Sequence, residues 1–330
     1  MKKIAKNIVM TIAIPVITYV FFFVACNLWG AEGFGVGADF TTIIYTTLYT
    51  GLIALAMSYN LTCGRFDYSV GSVIILSAII GGNLAKENHW GPWPMFFTIV
   101  VIAMILGLIS GLAYVLIKIP PMVVSIGITM IYEAFGLLYN RAKGIKMIGN
   151  PALIFAKPPY SYLIVGVALV ILIFLFNFTK FGYQWRMLRS GQKISVDIGI
   201  NEKKNAVICY VIAGALLGVA AAMYLSKYGM MSPEVGLTSS TFFMSAFLPL
   251  FIGGAIEKYS DKNIGVMIGA FTQAIITAGF GKLGFSSSLQ TVLNGVIVMA
   301  FLVYTSNAHK FVIAKLHKAK LARAIAASKQ

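Results

Sequence analysis

The chain has 330 residues, of which 59% are hydrophobic and 11% are charged, and its formal net charge is +16. A soluble domain carries about a quarter charged residues, so this composition excludes a water-facing surface over most of the chain. Lipid is therefore the expected solvent. The basic residues lie in short segments between apolar runs. That pattern is typical of the loops of a membrane protein and not of a nucleic-acid-binding face, so no nucleic acid partner is expected.

The apolar runs predict an all-α, polytopic transmembrane bundle of about ten spans, forming a single transmembrane domain over residues 1–330. The hydrocarbon core of a bilayer is about 30 Å thick and needs about 20 mostly apolar residues per helix. The runs that meet this requirement are 8–28, 42–60, 68–85, 95–118, 121–139, 160–178, 206–225, 239–256, 264–280 and 289–307. We expect broken or re-entrant helices at 42–60, 68–85 and 239–256, which are short or lie close to Gly and Pro.

An even number of spans places both termini on the same side of the membrane. If that side is the cytoplasm, 19 basic residues lie inside and seven outside. This asymmetry agrees with the preference of Lys and Arg for cytoplasmic loops. The loop 140–159 is an exception because it places four basic residues outside. Either it violates the rule or it contains an additional structural element.

Both terminal segments allow two interpretations. The start of the chain resembles a signal peptide, and Phe23 to Cys26 resembles a weak lipoprotein cleavage site. The apolar run is long enough to span, however, so we predict a retained helix. The tail 308–330 alternates basic and apolar residues, which fits either an amphipathic helix on the anionic inner leaflet or a solvated tail.

The cysteines and histidines do not suggest a metal centre or a disulfide framework. The three cysteines are far apart in apolar surroundings, and the three histidines lie outside the apolar runs: Cys26, Cys63, Cys209, His89, His309 and His317. No metal-ligand spacing is present among them, so we expect neither a metal nor a disulfide.

Asp67 is the first candidate for a functional charge, because ionised groups near a lipid-embedded segment are costly. It lies in Gly64-Arg-Phe-Asp-Tyr-Ser-Val-Gly-Ser72. An ion pair with Arg65 could hold an irregular segment together, or Asp67 could cap a helix with Ser69 nearby. We expect the capping role and keep direct solute contact by Asp67 and Ser69 as the alternative.

Glu133 is the second candidate, because it falls inside the predicted span 121–139. A carboxylate at this depth should face the bundle interior or a water-filled cavity. Two roles are open: Glu133 contacts the hydroxyl groups of a solute, or it pairs with a basic residue of the loop 141–146.

The segment 179–205 is the longest polar stretch between spans and carries the third candidate site. Ile194, Val196 and Ile198 give it an amphipathic part, and Gly191 and Gly199 bracket that part as helix punctuation. We predict a short helix lying flat at the cytoplasmic face, where it can dock into a partner's groove. A solvated connector is the alternative.

The sequence lacks the motifs of several enzyme classes. No G-x-x-x-x-G-K-[S/T] phosphate loop is present, so the chain is not expected to hydrolyse ATP alone. Neither H-E-x-x-H nor G-x-S-x-G occurs. We therefore predict no catalytic residues and no cofactor in this chain.

Several blocks resemble bacterial ABC sugar permeases of the ribose, xylose and galactose type. The most specific is 64–72, similar to G-x-x-D-L-S-V-G-S, and 120–130 resembles P-x-[FI]-[IV]-[AV]-T-L-G-T-M. The stretches 191–201, 206–225 and 251–254 resemble later blocks of the family. The chain differs from the family pattern in four places: Arg65, Phe66, Glu133 and the loop 255–263.

The resemblance implies the membrane subunit of an importer for a small polar solute, expected to be a monosaccharide, working by alternating access in the bacterial cytoplasmic membrane. It implies three kinds of partner: a cytoplasmic ATPase that carries ATP and Mg²⁺, an extracytoplasmic solute-binding protein, and a second permease copy or paralogue. It also implies that the ATPase docks on a coupling segment that contains Gly191, Ser195, Asp197, Gly199, Ile200 and Asn201. Nucleosides or branched-chain amino acids are alternative substrates, and an ion-coupled secondary transporter is the alternative class.

Overall fold

The computed structural model describes residues 2–30, 33–303 and 305–307. The tail 308–330, for which an amphipathic helix and a solvated tail are both open, lies outside the described residues. The described part is built almost entirely of helices, which are α1 (Lys2–Leu28), α2 (Ala38–Leu61), α3 (Val70–Glu87), α4 (Pro92–Ile117), α5 (Pro121–Leu138), α6 (Tyr160–Phe178), α7 (Lys180–Ser190), α8 (Gln192–Asp197), α9 (Glu202–Tyr228), α10 (Ser240–Ser245), α11 (Phe247–Ile256), α12 (Lys262–Lys282) and α13 (Ser287–Asn307). A 3₁₀ turn (Tyr139–Ala142) and two short strands, β1 (Ile145–Lys146) and β2 (Met230–Met231), complete it.

Among the described residues, nine helices are long and apolar enough to cross a membrane. They are α1 to α6, α9, α12 and α13, and they confirm the predicted helical bundle. The tenth predicted span, 239–256, is broken as expected. It consists of α10 and α11, which are separated at Ala246. The expected breaks in 42–60 and 68–85 are wrong, because α2 and α3 are continuous and the irregular segment 62–69 lies between them.

The helices alternate between two ends of the bundle. At one end, named the α8 end, Asn177 in the last turn of α6 donates to Asp261 before α12 at 2.8 Å, and Lys262 donates to the Ser58 carbonyl oxygen at 3.0 Å. At the other, named the β end, β1 pairs with β2 in antiparallel register. Successive spans therefore run in opposite directions. Together, α10 and α11 return the chain from the β end to the α8 end.

Close helix packing in the core depends on glycine. The axes of α4 and α9 approach so closely that a Cβ atom at Gly107 would lie 2.5 Å from the Tyr210 carbonyl oxygen. A Cβ atom at Gly218 would lie 2.7 Å from the Cα atom of Val100. Small residues allow such contact between helices in lipid, where van der Waals packing replaces the hydrophobic driving force. This packing makes α9 the central scaffold against which α2, α3 and α4 are fixed.

The loop 140–159 contains short elements of its own and lies at the β end. Asn140, Arg141 and Ala142 all have positive φ, and the Asn83 amide donates to the Gly144 carbonyl oxygen at 3.0 Å. The underside of the loop is buried through Ile145 and other apolar side chains. Its basic side chains Arg141, Lys143, Lys146 and Lys157 remain exposed. The loop is therefore a folded platform with a basic surface.

Candidate functional site

Asp67 makes local hydrogen bonds to Ser69 at the start of α3. Its Oδ1 atom accepts from the Ser69 backbone N–H at 2.9 Å and from the Ser69 hydroxyl at 2.6 Å. The residue preceding α3 is Ser69, so Asp67 is not the N-cap itself but closes a turn just before it. Burial raises the pKa of Asp67, and the two hydrogen bonds from Ser69 act in the opposite direction.

Arg65 does not pair with Asp67, which corrects one sequence-based interpretation. Its Nε atom lies 3.1 Å from Oε1 of Glu202, the first residue of α9. Its guanidinium also donates to the Asn205 side-chain oxygen at 3.4 Å. The side chain of Arg65 is 1% exposed and that of Glu202 is 16% exposed. The guanidinium therefore points away from Asp67, toward the carboxylate on α9.

A chain of hydroxyl groups continues from Ser69 into the bundle. The Ser69 and Ser110 hydroxyl oxygens are 3.5 Å apart, and the Ser110 hydroxyl lies 3.1 Å from the Tyr132 hydroxyl. Tyr132 donates to the Leu106 carbonyl oxygen at 2.7 Å. All these side chains are buried. The beginning of α3 is thus connected to α4 and α5 by neutral polar groups.

Glu133 binds the backbone of the broken span, and this role was not anticipated from the sequence. Its Oε2 atom accepts from the Leu237 N–H at 2.9 Å, and Oε1 accepts from the Ser239 N–H at 3.2 Å. Glu133 is 6% exposed. An ion pair with the loop 141–146, one of the two roles left open, is not among the contacts of the described residues, because both carboxylate oxygens are directed to the segment that precedes α10.

The same segment packs tightly against α3. A Cβ atom at Gly71 would lie 1.8 Å from the Ser239 carbonyl oxygen, so only glycine permits this approach. Phe243 of α10 stacks edge-on against Phe66, with ring centroids 5.2 Å apart, and its centroid lies 5.0 Å from that of Tyr68. Asp67, Ser69 and Glu133 therefore converge on one junction, where α3, α5 and α10 meet.

The polar segment 179–205 forms two helices at the α8 end, and the predicted coupling segment 191–201 contains the second of them, α8. The Thr179 side chain caps α7, and Gly191 separates α7 from α8. The six candidate residues of this segment are Gly191, Ser195, Asp197, Gly199, Ile200 and Asn201, and all lie in or beside α8. Gly199 has φ +95°, which favours glycine, and Asn201 caps α9 by accepting from the Lys204 N–H at 3.0 Å.

The surface of α7 and α8 is apolar at its exposed face. Ile194 is 70% exposed and Ile198 is 61% exposed. With Tyr183, Met187 and other residues they line a groove of about 420 Å³ between the two helices. Ser195 is buried beneath it and donates to the Gly191 carbonyl oxygen at 2.8 Å. An exposed apolar groove at the end of the bundle is suited to receive part of another protein.

A second polar cluster joins α7 to the loop between α11 and α12. The Arg189 guanidinium makes a bidentate ion pair with Glu257, with one bond of 2.6 Å. This hydrogen bonding raises the pKa of Arg189. The Lys262 ammonium lies 4.5 Å from the ring centre of Trp185. Glu257 and Lys262 belong to the loop 255–263, which differs from the family pattern. The residues of this loop therefore provide contacts to α7.

Sequence reasoning missed three parts of this arrangement. It did not find α7, although Gly182, Trp185 and Leu188 recur at helical spacing on its buried face. It did not connect Arg65 with Glu202. It also did not single out Ser110 or Tyr132, and a hydroxyl within an apolar run gives no distinct signal. The helical spacing would have revealed α7, whereas the other contacts join residues distant in the chain.

Comparison with known proteins identifies the family. Residues 40–302 match the family described as branched-chain amino acid transport system, permease component. The ribose import permease protein RbsC of Bacillus subtilis is 26% identical over 268 residues, covering 76% of this chain and 79% of its own length. The fructose import permease protein FrcC of Rhizobium meliloti is 20% identical over 302 residues, covering 87% and 83% respectively.

A further relative has a different printed substrate. The autoinducer 2 import system permease protein LsrD of Escherichia coli is 24% identical over 280 residues, covering 80% of this chain and 84% of its own length. These relatives confirm the resemblance seen in the sequence blocks, and the bundle of apolar helices agrees with it. The chain belongs to the family of permease components of branched-chain amino acid type transport systems, as a multi-pass permease of an ABC importer.

Proposed function

We propose that this chain is the membrane-spanning subunit of an ATP-driven importer that moves a neutral polar solute, most simply a monosaccharide, into the cytoplasm by alternating access. The observation that carries the proposal is the exposed apolar groove of α7 and α8 at one end of the bundle. A transporter that works alone has no use for such a surface. A partner that hydrolyses ATP would occupy it, because the chain has no phosphate loop.

The polar junction supports a neutral solute. Asp67 accepts two hydrogen bonds from Ser69, and Glu133 accepts two from backbone N–H groups. Glu133 therefore has both carboxylate oxygens bonded within the chain and does not offer a free counter-charge to a cationic substrate, whereas Asp67 is fixed to Ser69 through Oδ1. Hydroxyl groups such as that of Ser110 suit sugar hydroxyls. The names of two relatives, which are import permeases for ribose and fructose, agree with this chemistry.

The same occupancy weighs against ion-gradient coupling through Glu133. A carboxylate that cycles a proton or a sodium ion has to exchange partners during transport. Glu133 instead anchors Leu237 and Ser239, and its release would free the start of α10. We therefore place the energy source outside this chain, with ATP and Mg²⁺ bound by a partner ATPase.

The orientation follows from the partners. The α8 end would face the cytoplasm with both termini, and the β end would receive solute from an extracytoplasmic binding protein. This arrangement agrees with the larger number of basic residues on the proposed cytoplasmic side. A second permease copy or a paralogue would complete the path, because the type of ABC importer that the sequence resembles has two membrane subunits.

The test is affinity purification of the tagged chain in mild detergent, followed by identification of the co-purifying proteins. We expect an ATPase with a phosphate loop, at about one copy per permease. Proteoliposomes containing the complex and its binding protein should then take up radiolabelled D-ribose or D-fructose only with ATP. A homo-oligomer that moves solute along an ion gradient would overturn the proposal, and uptake of nucleosides or leucine would correct the substrate class.

A further inference from the structure

The irregular segment 62–69 lies between the coupling segment and the broken span. We infer that it transmits movement of the α8–α9 corner to α10, through the Arg65–Glu202 ion pair on one side and through Phe243 on the other. This inference rests on the proposed function, because it assigns how a partner docked at α8 would reach the solute path. It makes Arg65 and Glu202 positioning residues for transport.

The first connection is a buried ion pair next to α8. Glu202 opens α9 directly after Asn201, whose side chain caps that helix, so we expect a displacement of α8 to move the Glu202 carboxylate as well. Arg65 lies 3.1 Å from that carboxylate and is 1% exposed. Separating the pair would leave a guanidinium buried without its counter-charge, which is strongly unfavourable. The two groups are therefore expected to move together.

The second connection is aromatic. Phe66 and Tyr68 flank Phe243, with ring centroids 5.2 Å and 5.0 Å away, and Phe243 is 2% exposed. Phe66 is the next residue in the chain, so a shift of the backbone at Arg65 displaces Phe66 as well. Dense packing passes such a shift to its neighbour instead of absorbing it. The side chain that receives it belongs to α10.

The receiving element is short and separately anchored. α10 covers Ser240–Ser245 and is interrupted from α11 at Ala246. On its other side, Glu133 of α5 holds Ser239 and Leu237 by hydrogen bonds. A short helix that is anchored on one side and contacted by Phe66 and Tyr68 on the other is placed to respond to a displacement of those rings.

The first experiment uses the isolated permease and needs no partner. A reporter cysteine replaces Thr238, which is exposed beside the Glu133 anchor, and its rate of labelling by N-ethylmaleimide is measured. Glu202→Gln and, as a second variant, Arg65→Met should each raise that rate by about fivefold or more, since α10 loses a restraint. Asp39→Asn, which breaks the Lys282 ion pair at the β end, is the matched control and should leave it unchanged.

Native Cys26 reports global loosening in the same experiment, because it is completely buried at the β end of α1. We expect its labelling to stay slow in both variants. Unchanged labelling at position 238 in both variants would overturn the inference. Equal acceleration at position 238 and at Cys26 would also overturn it, because the ion pair would then be a general stabilising contact.

The second experiment uses the complex with its ATPase. Binding of AMP-PNP and Mg²⁺ should change the labelling rate at position 238 in the parent complex, and Glu202→Gln should reduce that change by about fivefold or more. A full nucleotide response in the variant would overturn transmission through this pair. Failure to recover any ATPase would instead contradict the proposed function, while the first experiment would still decide whether the connection to α10 exists.

Discussion

Glu133 shows how a carboxylate within a transmembrane helix can accept hydrogen bonds from backbone N–H groups that lack a helical partner. Both of its oxygens accept from N–H groups at the start of the broken span, where no helical partner is available. Glu133→Gln replaces one acceptor by a donor that faces an N–H group. We expect it to lower the free energy of unfolding by about 2 kcal/mol, measured as a lower melting temperature in detergent.

Glu87→Gln is the control for Glu133, because Glu87 is an exposed carboxylate at the end of α3. It should leave the melting temperature unchanged. If Glu133→Gln kept the parent melting temperature but changed the solute preference of the reconstituted complex, the carboxylate would be a solute ligand and the anchoring role would be wrong.

At Asp67, the effect of the negative charge can be separated from the effect of hydrogen bonding by comparing two substitutions. Its Oδ1 atom accepts both bonds from Ser69, and an Asn side chain supplies an oxygen in the same place. Asp67→Asn should therefore keep stability and uptake close to the parent values, whereas Asp67→Ala should cost about 1 kcal/mol in a thermal unfolding assay. Loss of uptake in Asp67→Asn with unchanged stability would show that the negative charge meets the solute.

The sequence located these charged residues but did not predict their partners. A carboxylate in an apolar run is conspicuous, so Asp67 and Glu133 were singled out. Glu133 bonds to residues more than 100 positions away, and Arg65 pairs with a residue 137 positions away. Local pattern carries no information on such contacts. The Asp67–Ser69 bonds span two residues, and that local role was nearer to the expectation.

At the scale of the elements, the packing of α3 against the start of α10 depends on the absence of a side chain at Gly71. A Cβ atom at Gly71 would lie 1.8 Å from the Ser239 carbonyl oxygen, and backbone atoms cannot swing aside. Gly71→Ala should therefore destabilise the protein by about 1–3 kcal/mol and lower uptake, despite the better helix propensity of alanine. Gly166→Ala in α6, where nothing lies within 4 Å of the added atom, is the control and should be neutral or slightly stabilising. Equal behaviour of the two variants would show that α10 does not need this close approach.

The docking role of α8 is testable through its apolar face. Ile194→Asp with Ile198→Asp places two charges in the groove without touching a buried core residue. We expect at least about a tenfold loss of co-purifying ATPase, because charges are depleted from the centres of protein interfaces. The control Gln192→Asp adds a charge at an exposed position of the same helix and should have little effect. Full ATPase recovery in the double variant would place the interface elsewhere.

Element prediction succeeded where hydropathy alone decides. Length and apolar composition were enough for the nine long helices, because lipid permits few other structures. The interruption at Ala246 was expected from a short run near Gly and Pro. The 3₁₀ turn and β1 were missed, since β1 pairs with β2 some 85 residues later and residues 140–142 adopt left-handed backbone without glycine. Tertiary contacts, and not local propensity, determine both.

At the scale of the molecule, the two ends differ in chemistry. The α8 end presents an apolar groove, whereas the β end presents the folded platform 140–159 with exposed basic side chains. Arg141, Lys143 and Lys146 have no ion pair among the described contacts. The backbone beneath them is fixed by the β1–β2 pairing, so the charges are held in place before a partner arrives. This asymmetry fits two different protein partners, one at each end.

The last prediction concerns the partner at the β end. If a solute-binding protein docks there, the basic platform should accelerate its association with an acidic surface, and salt should weaken the effect. Replacing Arg141, Lys143 and Lys146 together by Gln should slow association of the co-purified binding protein by about tenfold at low salt, measured by biolayer interferometry on permease in nanodiscs. The parent and the triple variant should converge as the salt concentration rises. Replacing the exposed residues Lys193, Lys203 and Lys204 at the α8 end together by Gln removes the same number of charges, and this matched control should bind at the parent rate. An equal association rate for the parent and the triple variant at every salt concentration would show that the platform does not meet the binding protein. An effect of the triple substitution that is seen only in nanodiscs rich in anionic lipid would instead assign the platform to lipid headgroups.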